Sequence, residues 1–274
     1  FLKIMIQKKV WSPWLVLHKD LFEVMARLKR DNHPFAVATV IAVKGSSSAR
    51  MGDKAIYDLS GKRVIGYIGG GCVENRIGQT VIESLADLET KMIDVNLDSD
   101  DMELGIPCGG MMTVFVEPQP ETPTILIRGM GRVVEVLSQM ANTLNFKVLI
   151  QTQEDEKDRY DSADEVFTDP LDLDEIVAKV DYFILATHQR DDHYQTLSAL
   201  NHGVPFVAVI ASQKKAGLIR NHLIENNVSD ELMANLHSPA GLDLKAKTAE
   251  EIALSIMSEI VMHRNSGSGE AMGK

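Results

Sequence analysis

The sequence is poor in cysteine and has no excess of basic residues. Two cysteines occur among 274 residues, which makes a disulfide framework implausible and fits a reducing cytoplasm. Lys and Arg number 28 against 39 Asp and Glu, for a formal net charge of -11. This acidic balance argues against a broad nucleic-acid surface, which needs a basic footprint. We therefore expect a cytoplasmic protein that has no nucleic-acid partner.

Long apolar runs are also missing. The apolar stretch at residues 10–17 is short, is interrupted by Ser12 and Pro13, and precedes no small-residue cleavage pattern. We expect neither a signal peptide nor a membrane span there, and no basic amphipathic helix suggests a membrane partner. What the chain does have is 45% hydrophobic and 24% charged residues, an ordinary globular composition whose length fits two domains.

The first half has the pattern of a mixed α+β domain. Helical spacing of apolar residues predicts a helix over residues 19–30, and a strand at 35–43 with two short strands around 58–61 predicts an antiparallel meander. A helix is predicted over residues 73–88, an acidic connection over 94–103 and a strand over 111–117. The prolines that follow mark a boundary, so we assign this domain to residues 1–120.

Beyond the prolines the pattern alternates between strands and helices. Continuous apolar runs predict strands at residues 124–127, 146–151, 182–186 and 206–210, with helices at 133–144 and 195–202. Such runs indicate a parallel sheet covered on both faces, and Thr248 with Glu251 predicts a capping box for a final helix. The predicted class is α/β: an N-terminal mixed α+β domain, then a Rossmann-like parallel α/β domain at residues 121–264, then a disordered tail at 265–274.

Two glycine turns in the first half present backbone N–H groups with no Cβ in the way. They consist of Gly69, Gly70, Gly71 and Cys72, and of Cys108, Gly109 and Gly110. A thiolate at Cys72 would be stabilised by the helix predicted to begin there, although an unpaired cysteine can equally be a small buried hydrophobe. The spacing offers no zinc site. We interpret the two turns as functional and expect them to converge on one pocket.

A third glycine turn opens the second half. Gly129 and Gly131 match the first two glycines of a dinucleotide fingerprint, but Val134 replaces the third. Arg132 could clamp a phosphate. Glu154 and Asp155 lie somewhat beyond the usual position of a ribose-binding carboxylate. The alternative is a Rossmann-like domain that holds no nucleotide, or a different one.

Polar residues also follow two later strands of the predicted sheet. His188 and Asp192 come after the strand at 182–186, and Ser212, Lys214 and Lys215 come after the strand that ends at residue 210. Open α/β sheets bind ligands at the carboxyl ends of their strands. His188 could donate to a ligand or act as acid and base, the lysines suit an anion, and helix capping or solvation is the alternative for each.

Taken together, these motifs resemble the xanthine dehydrogenase accessory factor family of the XdhC/CoxI type. The matching segments run in family order from about residue 35 to residue 263. They include Arg50, Gly69 to Glu74, Cys108 to Gly110, Gly129 to Val133, His188 with Asp192, Ser212 to Lys215 and the loop His237 to Asp243. The family usually has histidine in place of Arg132, a small residue near Val134, glycine in place of Ala211 and arginine in place of Gln213.

The resemblance implies a maturation chaperone rather than a catalyst, and we assign no catalytic residue. It implies binding of molybdenum cofactor (molybdopterin), help with its sulfuration and insertion, and a partner such as apo xanthine dehydrogenase of purine catabolism, with a cysteine desulfurase as a further partner. Cys72 and Cys108 would contact sulfur, and Arg50 would contact phosphate. A homodimer is expected on base rates. The alternatives are an NAD(P)-dependent oxidoreductase, with His188 as acid and base, and a nucleotide-sensing adaptor without catalysis.

Overall fold

The structure, a computed structural model, describes residues 13–45, 47–96, 110–168, 173, 176, 179–187 and 191–273. The chain divides into two compact units, Phe1–Glu121 and Thr122–Lys274, which we call unit 1 and unit 2. Each has its own sheet and its own apolar core. The predicted fold class is confirmed, with an antiparallel sheet in unit 1 and a parallel sheet in unit 2.

Unit 1 is a five-stranded sheet with a helix on each face. The strands are β1 (Phe35–Gly45), β2 (Lys54–Tyr57), β3 (Arg63–Gly66), β4 (Lys91–Asn96) and β5 (Gly110–Gln119), and the helices are α1 (Pro13–Arg30) and α2 (Gly71–Asp87). The strand order is β3-β2-β1-β5-β4, with antiparallel neighbours.

Strand β1 is buried on both faces because its side chains alternate between two cores. Phe35 and Val37 join Leu21 of α1 in one cluster, whereas Ala38 and Val40 join Ile77 of α2 in the other. Successive side chains of a strand point to opposite faces, so a continuous apolar segment fills both layers. This packing fixes α2, and with it the glycine turn that precedes α2, against the sheet.

Strand β4 corrects the prediction of an acidic connection beginning at residue 94. The chain is still extended through Asn96, and Asp94 faces Thr113 of β5. Because β4 pairs only with β5 at the edge of the sheet, it needs few apolar residues, and Val95 is its one buried position. The remainder of the predicted connection, residues 97–103, lies outside the described residues.

Unit 2 contains a six-stranded parallel sheet. Its strands are β6 (Thr124–Gly129), β7 (Lys147–Gln151), β8 (Glu165–Phe167), β9 (Tyr182–Ala186), β10 (Val207–Val209) and β11 (Leu236–His237). The order is β11-β10-β9-β6-β7-β8. Strands β6, β7 and β8 therefore extend the sheet in one direction, and β9, β10 and β11 extend it in the other. The sheet reverses between β6 and β9, the position at which open α/β sheets bind ligands.

Helices cover both faces of this sheet. They are α3 (Arg132–Thr143), α4 (Asp192–Asn201), α5 (Gln213–Glu225), α6 (Asp230–Met233) and α7 (Ala249–Arg264), with a short 3₁₀ turn at Lys157–Arg159. Ile127 packs in the cluster formed with α3 and α7, and Leu126 packs in the cluster formed with α4 and α5. Among the described residues, no helix combines the length and apolarity needed to cross a bilayer.

Both ends of α7 are held by specific contacts. Thr248 Oγ1 accepts from the Glu251 N–H at 3.2 Å, and the Glu251 carboxylate accepts from the Thr248 N–H at 3.0 Å, which is the capping box that the sequence predicts. At the other end of α7, the Gly267 N–H donates to the Met262 carbonyl at 2.8 Å.

Candidate functional site

The glycine turn of unit 2 follows β6 at the point where the sheet reverses. A Cβ on Gly129 would lie 2.4 Å from the carbonyl oxygen of Ala186 on β9, so only glycine lets these strands approach so closely. Gly131 caps α3 with φ 82° and ψ -167°, a conformation that L side chains rarely adopt. The two glycines thus produce the tight strand-to-helix turn that the sequence predicts.

The N–H of this turn is bound by side chains of the protein itself. The Gly131 N–H donates to Glu156 Oε2 at 3.1 Å and to the Tyr160 hydroxyl at 3.0 Å. Tyr160 also donates to Glu156 Oε2 at 3.2 Å. A carboxylate oxygen therefore lies where a phosphate oxygen would accept a hydrogen bond at a helix N-terminus.

The carboxylate that binds this turn is one that the sequence did not single out. Glu154 and Asp155 were considered as ribose-binding carboxylates; Glu154 forms an ion pair with Lys157, and the carboxylate that reaches Gly131 is Glu156. Tyr160, four residues later, is only 2% exposed, and its hydroxyl finds in Glu156 the polar partner that a buried tyrosine needs. Arg159, which also pairs with Glu156, was likewise missed.

Arg132 begins α3 and is paired with acidic residues on two helices. Its Nε donates to Glu250 Oε1 at 2.9 Å and its Nη1 donates to Glu135 Oε1 at 2.8 Å. The side chain is 51% exposed, so these bonds are exchangeable with solvent. The guanidinium that was predicted to clamp a phosphate is thus engaged by two carboxylates.

Two of the predicted residues beyond β9 and β10, Asp192 and Lys215, meet in one polar cluster. Asp192 is 2% exposed, and its carboxylate accepts from Lys215 Nζ and from Thr187 Oγ1. Ser212 caps α5, accepting from the Lys215 N–H at 3.3 Å, while Lys214 is exposed. Such hydrogen-bond and ion-pair partners offset the cost of burying a carboxylate. His188 lies outside the described residues.

A second polar link crosses the point of sheet reversal, and the sequence did not reveal it. Arg128 at the end of β6 donates from Nη1 to Gln195 Oε1 at 2.9 Å, and Gln195 Nε2 donates to Asp191 Oδ2 at 2.8 Å. The Arg128 guanidinium also lies 5.5 Å from the centre of the Phe183 ring. These contacts join β6 to α4 and fix the first turn of α4.

The loop after β11 is tied to α7 by Glu259. His237 Nδ1 lies 2.8 Å from Glu259 Oε1, and the Gly241 N–H donates to Glu259 Oε2 at 2.6 Å. Desolvation raises the pKa of Glu259, but these two hydrogen bonds outweigh it and hold the pKa below its ordinary value. The His237 ring stacks on Phe206 with 3.7 Å between ring centres. The loop that the sequence marked only as a turn is therefore anchored to α7 through Glu259.

In unit 1 the first glycine turn leads into α2. Gly69 has φ 128°, and a Cβ there would meet Val73 Cγ1 at 2.9 Å and Met112 Cε at 3.3 Å. Gly70 is the N-cap in an extended conformation and has no side chain of its own with which to cap the helix. Open space surrounds the Cβ positions of Gly70 and Gly71, so the start of this 17-residue helix presents its backbone to its surroundings.

The second glycine turn of unit 1 is described only at its end. Gly110 begins β5 and pairs with Gly45 of β1, and Met112, two residues later, contacts the Cβ position of Gly69. Strand β5 thus packs against the first turn through Met112. Cys108 and Gly109 lie outside the described residues, and Cys72 is placed by its backbone as the second residue of α2.

Polar residues flank the start of α2. Glu74 pairs with Arg63 at 3.1 Å, and Arg63 Nη1 donates to the Gly66 carbonyl at 2.8 Å. Arg50 is exposed, and its N–H donates to Asp53 Oδ2 at 2.7 Å. Tyr57 is fully buried. Burial, followed by the negative charge of Glu74, raises the pKa of Tyr57, so the phenol stays neutral. Arg63 is a basic residue of this site that the sequence did not single out.

A groove of about 710 Å³ lies elsewhere in unit 2, between α3 and α7. Its lining is mostly apolar and includes Val136, Met140, Leu254, Met257 and Val261. None of the predicted site residues lines it.

Comparison with known proteins identifies the family. Residues 125–260 match the family description "XdhC Rossmann domain", and residues 28–96 match "XdhC and CoxI family". Together the two ranges cover about three quarters of the chain. The chain belongs to the XdhC/CoxI family, as the sequence resemblance predicted.

The chain is similar to two curated proteins, of which it spans about half or less. It is 27% identical over 268 residues to "Uncharacterized protein YqeB" of Escherichia coli (strain K12), covering 93% of this chain and 48% of that protein. It is 29% identical over 93 residues to a probable xanthine dehydrogenase subunit of Bacillus subtilis (strain 168), covering 33% of this chain and 28% of that protein.

A solved structure is also similar. The crystal structure of a xanthine dehydrogenase from Bacillus halodurans aligns with a TM-score of 0.47 and 20% identity, covering 91% of this chain and 97% of that one.

Proposed function

We propose that this XdhC-family protein binds molybdenum cofactor and assists its sulfuration and insertion into a molybdenum hydroxylase such as xanthine dehydrogenase. Family membership supports the proposal, as does the relative named as a probable xanthine dehydrogenase subunit. When bound, the cofactor would bring a phosphate, two dithiolene sulfurs and a molybdenum centre to the protein. The protein's task is to hold these groups and to exclude water.

The observation that carries the proposal is the difference between the two described glycine turns. The Cβ positions of Gly70, Gly71 and Gly131 are all open, and each helix has a glycine N-cap with no side chain of its own to cap it. At the start of α3, Gly131 donates to Glu156 and Tyr160. Backbone N–H groups at a helix N-terminus bind phosphate, so we assign the phosphate of the cofactor to α2 of unit 1.

The sulfur side of the cofactor is assigned to the same end of α2. Cys72 is the second residue of the helix, where the helix dipole favours a thiolate. Cys108 precedes Gly110, whose strand contacts Gly69 through Met112. Arg50, on the loop between β1 and β2, is the proposed additional phosphate contact.

A self-capping substitution tests this site. Gly70→Asp places a carboxylate at an extended N-cap position that has open space, so the side chain can cap α2 without unfolding it and would repel a phosphate. We expect wild-type protein to retain cofactor, detected by molybdenum analysis and by its visible spectrum, and Gly70→Asp to lose that retention.

Gly217→Asp is the matched control because Gly217 lies in α5 with open space around it. It adds the same charge in unit 2 and should leave retention unchanged. Failure of the wild-type protein to retain or protect the cofactor would refute the proposed function. Equal retention by wild type and Gly70→Asp would refute the assigned site.

The second candidate is an oxidoreductase that uses NAD(P) at Gly129 and Gly131. The strand order of unit 2 favours it, because dinucleotides bind where such sheets reverse. The bond from Gly131 to Glu156 opposes it. Tight binding of NAD(P)H, seen as a fluorescence change that Gly131→Asp abolishes, would favour the oxidoreductase over the carrier.

The proposed carrier acts in the cytoplasm as a homodimer and receives sulfur with the help of a cysteine desulfurase. Two cysteines and an acidic surface suit that compartment. Size-exclusion chromatography with light scattering tests the dimer, and pull-down with purified desulfurase tests the sulfur donor.

A further inference from the structure

The glycine turn of unit 2 has the geometry of a phosphate site. It follows β6 at the reversal of the sheet, and Gly131 adopts a backbone conformation typical of glycine at the N-cap of the 12-residue helix α3. Apart from its two chain neighbours, no described residue has an atom within 4 Å of the position that a Gly131 Cβ would occupy. Backbone shape alone would therefore admit a phosphate.

The position of that phosphate is filled by Glu156. Glu156 Oε2 lies 3.1 Å from the Gly131 nitrogen, and Arg159 holds the carboxylate with bonds of 3.0 Å to Oε1 and 3.1 Å to Oε2. Tyr160 adds a hydrogen bond from the side of the core. Desolvation raises the pKa of Glu156, but the bonds from Arg159, Gly131 and Tyr160 outweigh it and keep the pKa below its ordinary value. The carboxylate is therefore charged at neutral pH.

Charges around the turn reinforce this effect. Arg132 is paired with Glu135 and Glu250, and Arg159 lies between Glu156 and Glu135. Three carboxylates thus surround two guanidinium groups, so the network carries one net negative charge. An incoming phosphate would meet a like charge at hydrogen-bonding distance, which disfavours it.

We propose that Glu156, supported by Arg159 and Tyr160, is a specificity-determining residue that closes the phosphate position of the Gly131 turn. While Glu156 is hydrogen-bonded to the Gly131 N–H, unit 2 selects against nucleotides and other phosphate-bearing ligands. A ligand of that class binds only when Glu156 is displaced from the Gly131 N–H. This inference concerns unit 2 and is independent of the cofactor site proposed in unit 1.

The test uses ADP as the phosphate-bearing probe and adenosine as its phosphate-free counterpart. We expect wild-type protein to bind ADP weakly, and Glu156→Ala to bind it at least about tenfold more tightly, because the like charge at the phosphate position is removed. Isothermal titration calorimetry gives the affinities. The ¹⁵N-¹H resonance of Gly131 reports whether ADP occupies the turn.

Glu154→Ala is the matched control, since Glu154 belongs to the same loop and pairs with Lys157 instead of Gly131. It should bind ADP as wild type does, and adenosine affinity should be the same in all variants. Glu156→Gln keeps the side-chain volume and serves if Glu156→Ala fails to fold. It should also gain ADP affinity, to a smaller extent.

Several outcomes overturn the proposal. Unchanged ADP affinity in both Glu156 variants would show that the carboxylate does not guard the turn. Weaker binding would show that Glu156 contacts the ligand. An equal gain of ADP affinity in Glu154→Ala would show that the effect arises from the overall charge of the protein. Tight ADP or NAD(P)H binding by wild-type protein would show that the turn is open.

Discussion

Replacing Gly78 by alanine should destabilise unit 1, although alanine is the better helix former. Gly78 lies inside α2, where its Cα faces the turn between β2 and β3. A Cβ there would lie 2.4 Å from the carbonyl oxygen of Gly61. Real Cβ atoms essentially never come closer than about 3 Å to such an atom, so either the helix or the turn must move by roughly 0.6 Å or more.

Two opposing effects set the magnitude. Alanine gains about 1 kcal/mol of helix propensity over glycine, whereas overpacking a well-packed contact costs about 1–3 kcal/mol. The turn cannot yield easily, because Asp58 Oδ1 accepts from the Ser60 N–H at 2.9 Å and from the Lys62 N–H at 3.0 Å. The cost therefore falls near the top of its range, and we expect a net loss of about 1–2 kcal/mol in the free energy of unfolding.

Gly217→Ala is the control for this prediction. Gly217 also lies inside a helix, but nothing lies within 4 Å of its Cβ position, so the same substitution should stabilise unit 2 by about 0.4–1 kcal/mol. Urea unfolding followed by circular dichroism measures both changes. If Gly78→Ala stabilises the protein as Gly217→Ala does, the close packing of α2 on the turn is refuted.

Three further predictions concern unit 2. Thr248→Ala removes one half of the capping box of α7 and should lower the free energy of unfolding by about 1 kcal/mol, while Thr248→Asp, which can also cap, should not. Asp192→Asn leaves Lys215 without the charge of a carboxylate that is 2% exposed. Because Lys215 is partly exposed, the free energy of unfolding should fall by about 1–3 kcal/mol rather than by the full cost of breaking a buried ion pair. Unchanged urea unfolding of Asp192→Asn would contradict the pairing. Glu259 has a lowered pKa, since its bonds, including that to His237, outweigh desolvation. Its contribution is complete above the ordinary glutamate pKa and is lost as pH falls through the lowered value. The deficit of Glu259→Gln should shrink between about pH 6 and about pH 3, and a constant deficit across that range would refute the linkage.

Local pattern sufficed for the central elements and failed for the edges. Strand β9 has the predicted bounds, and the capping box at Thr248 is present, because both depend on neighbouring residues. Strand β4 and the short strands β8 and β11 were missed. Each lies at or near a sheet edge, where a strand is stabilised by pairing with its neighbour and needs little apolar sequence of its own.

The candidate site shows the same division. Gly69, Gly70, Gly71, Gly129 and Gly131 were predicted as turns because glycine is required by local backbone geometry. The pairing of Lys215 with Asp192 could not be predicted, since 23 residues separate them and only the order of strands β9 and β10 brings them together. The same holds for Arg132 and Glu250, which are 118 residues apart.

The sequence by itself determined the two kinds of sheet, the position of each described glycine turn and the family to which the chain belongs, because hydrophobic period and backbone freedom are local properties. Only the tertiary structure decided that a carboxylate of the chain itself occupies the Gly131 turn. That contact depends on Glu156 returning across the end of the sheet to Gly131, 25 residues away. Long-range packing places such side chains, and no local pattern encodes it.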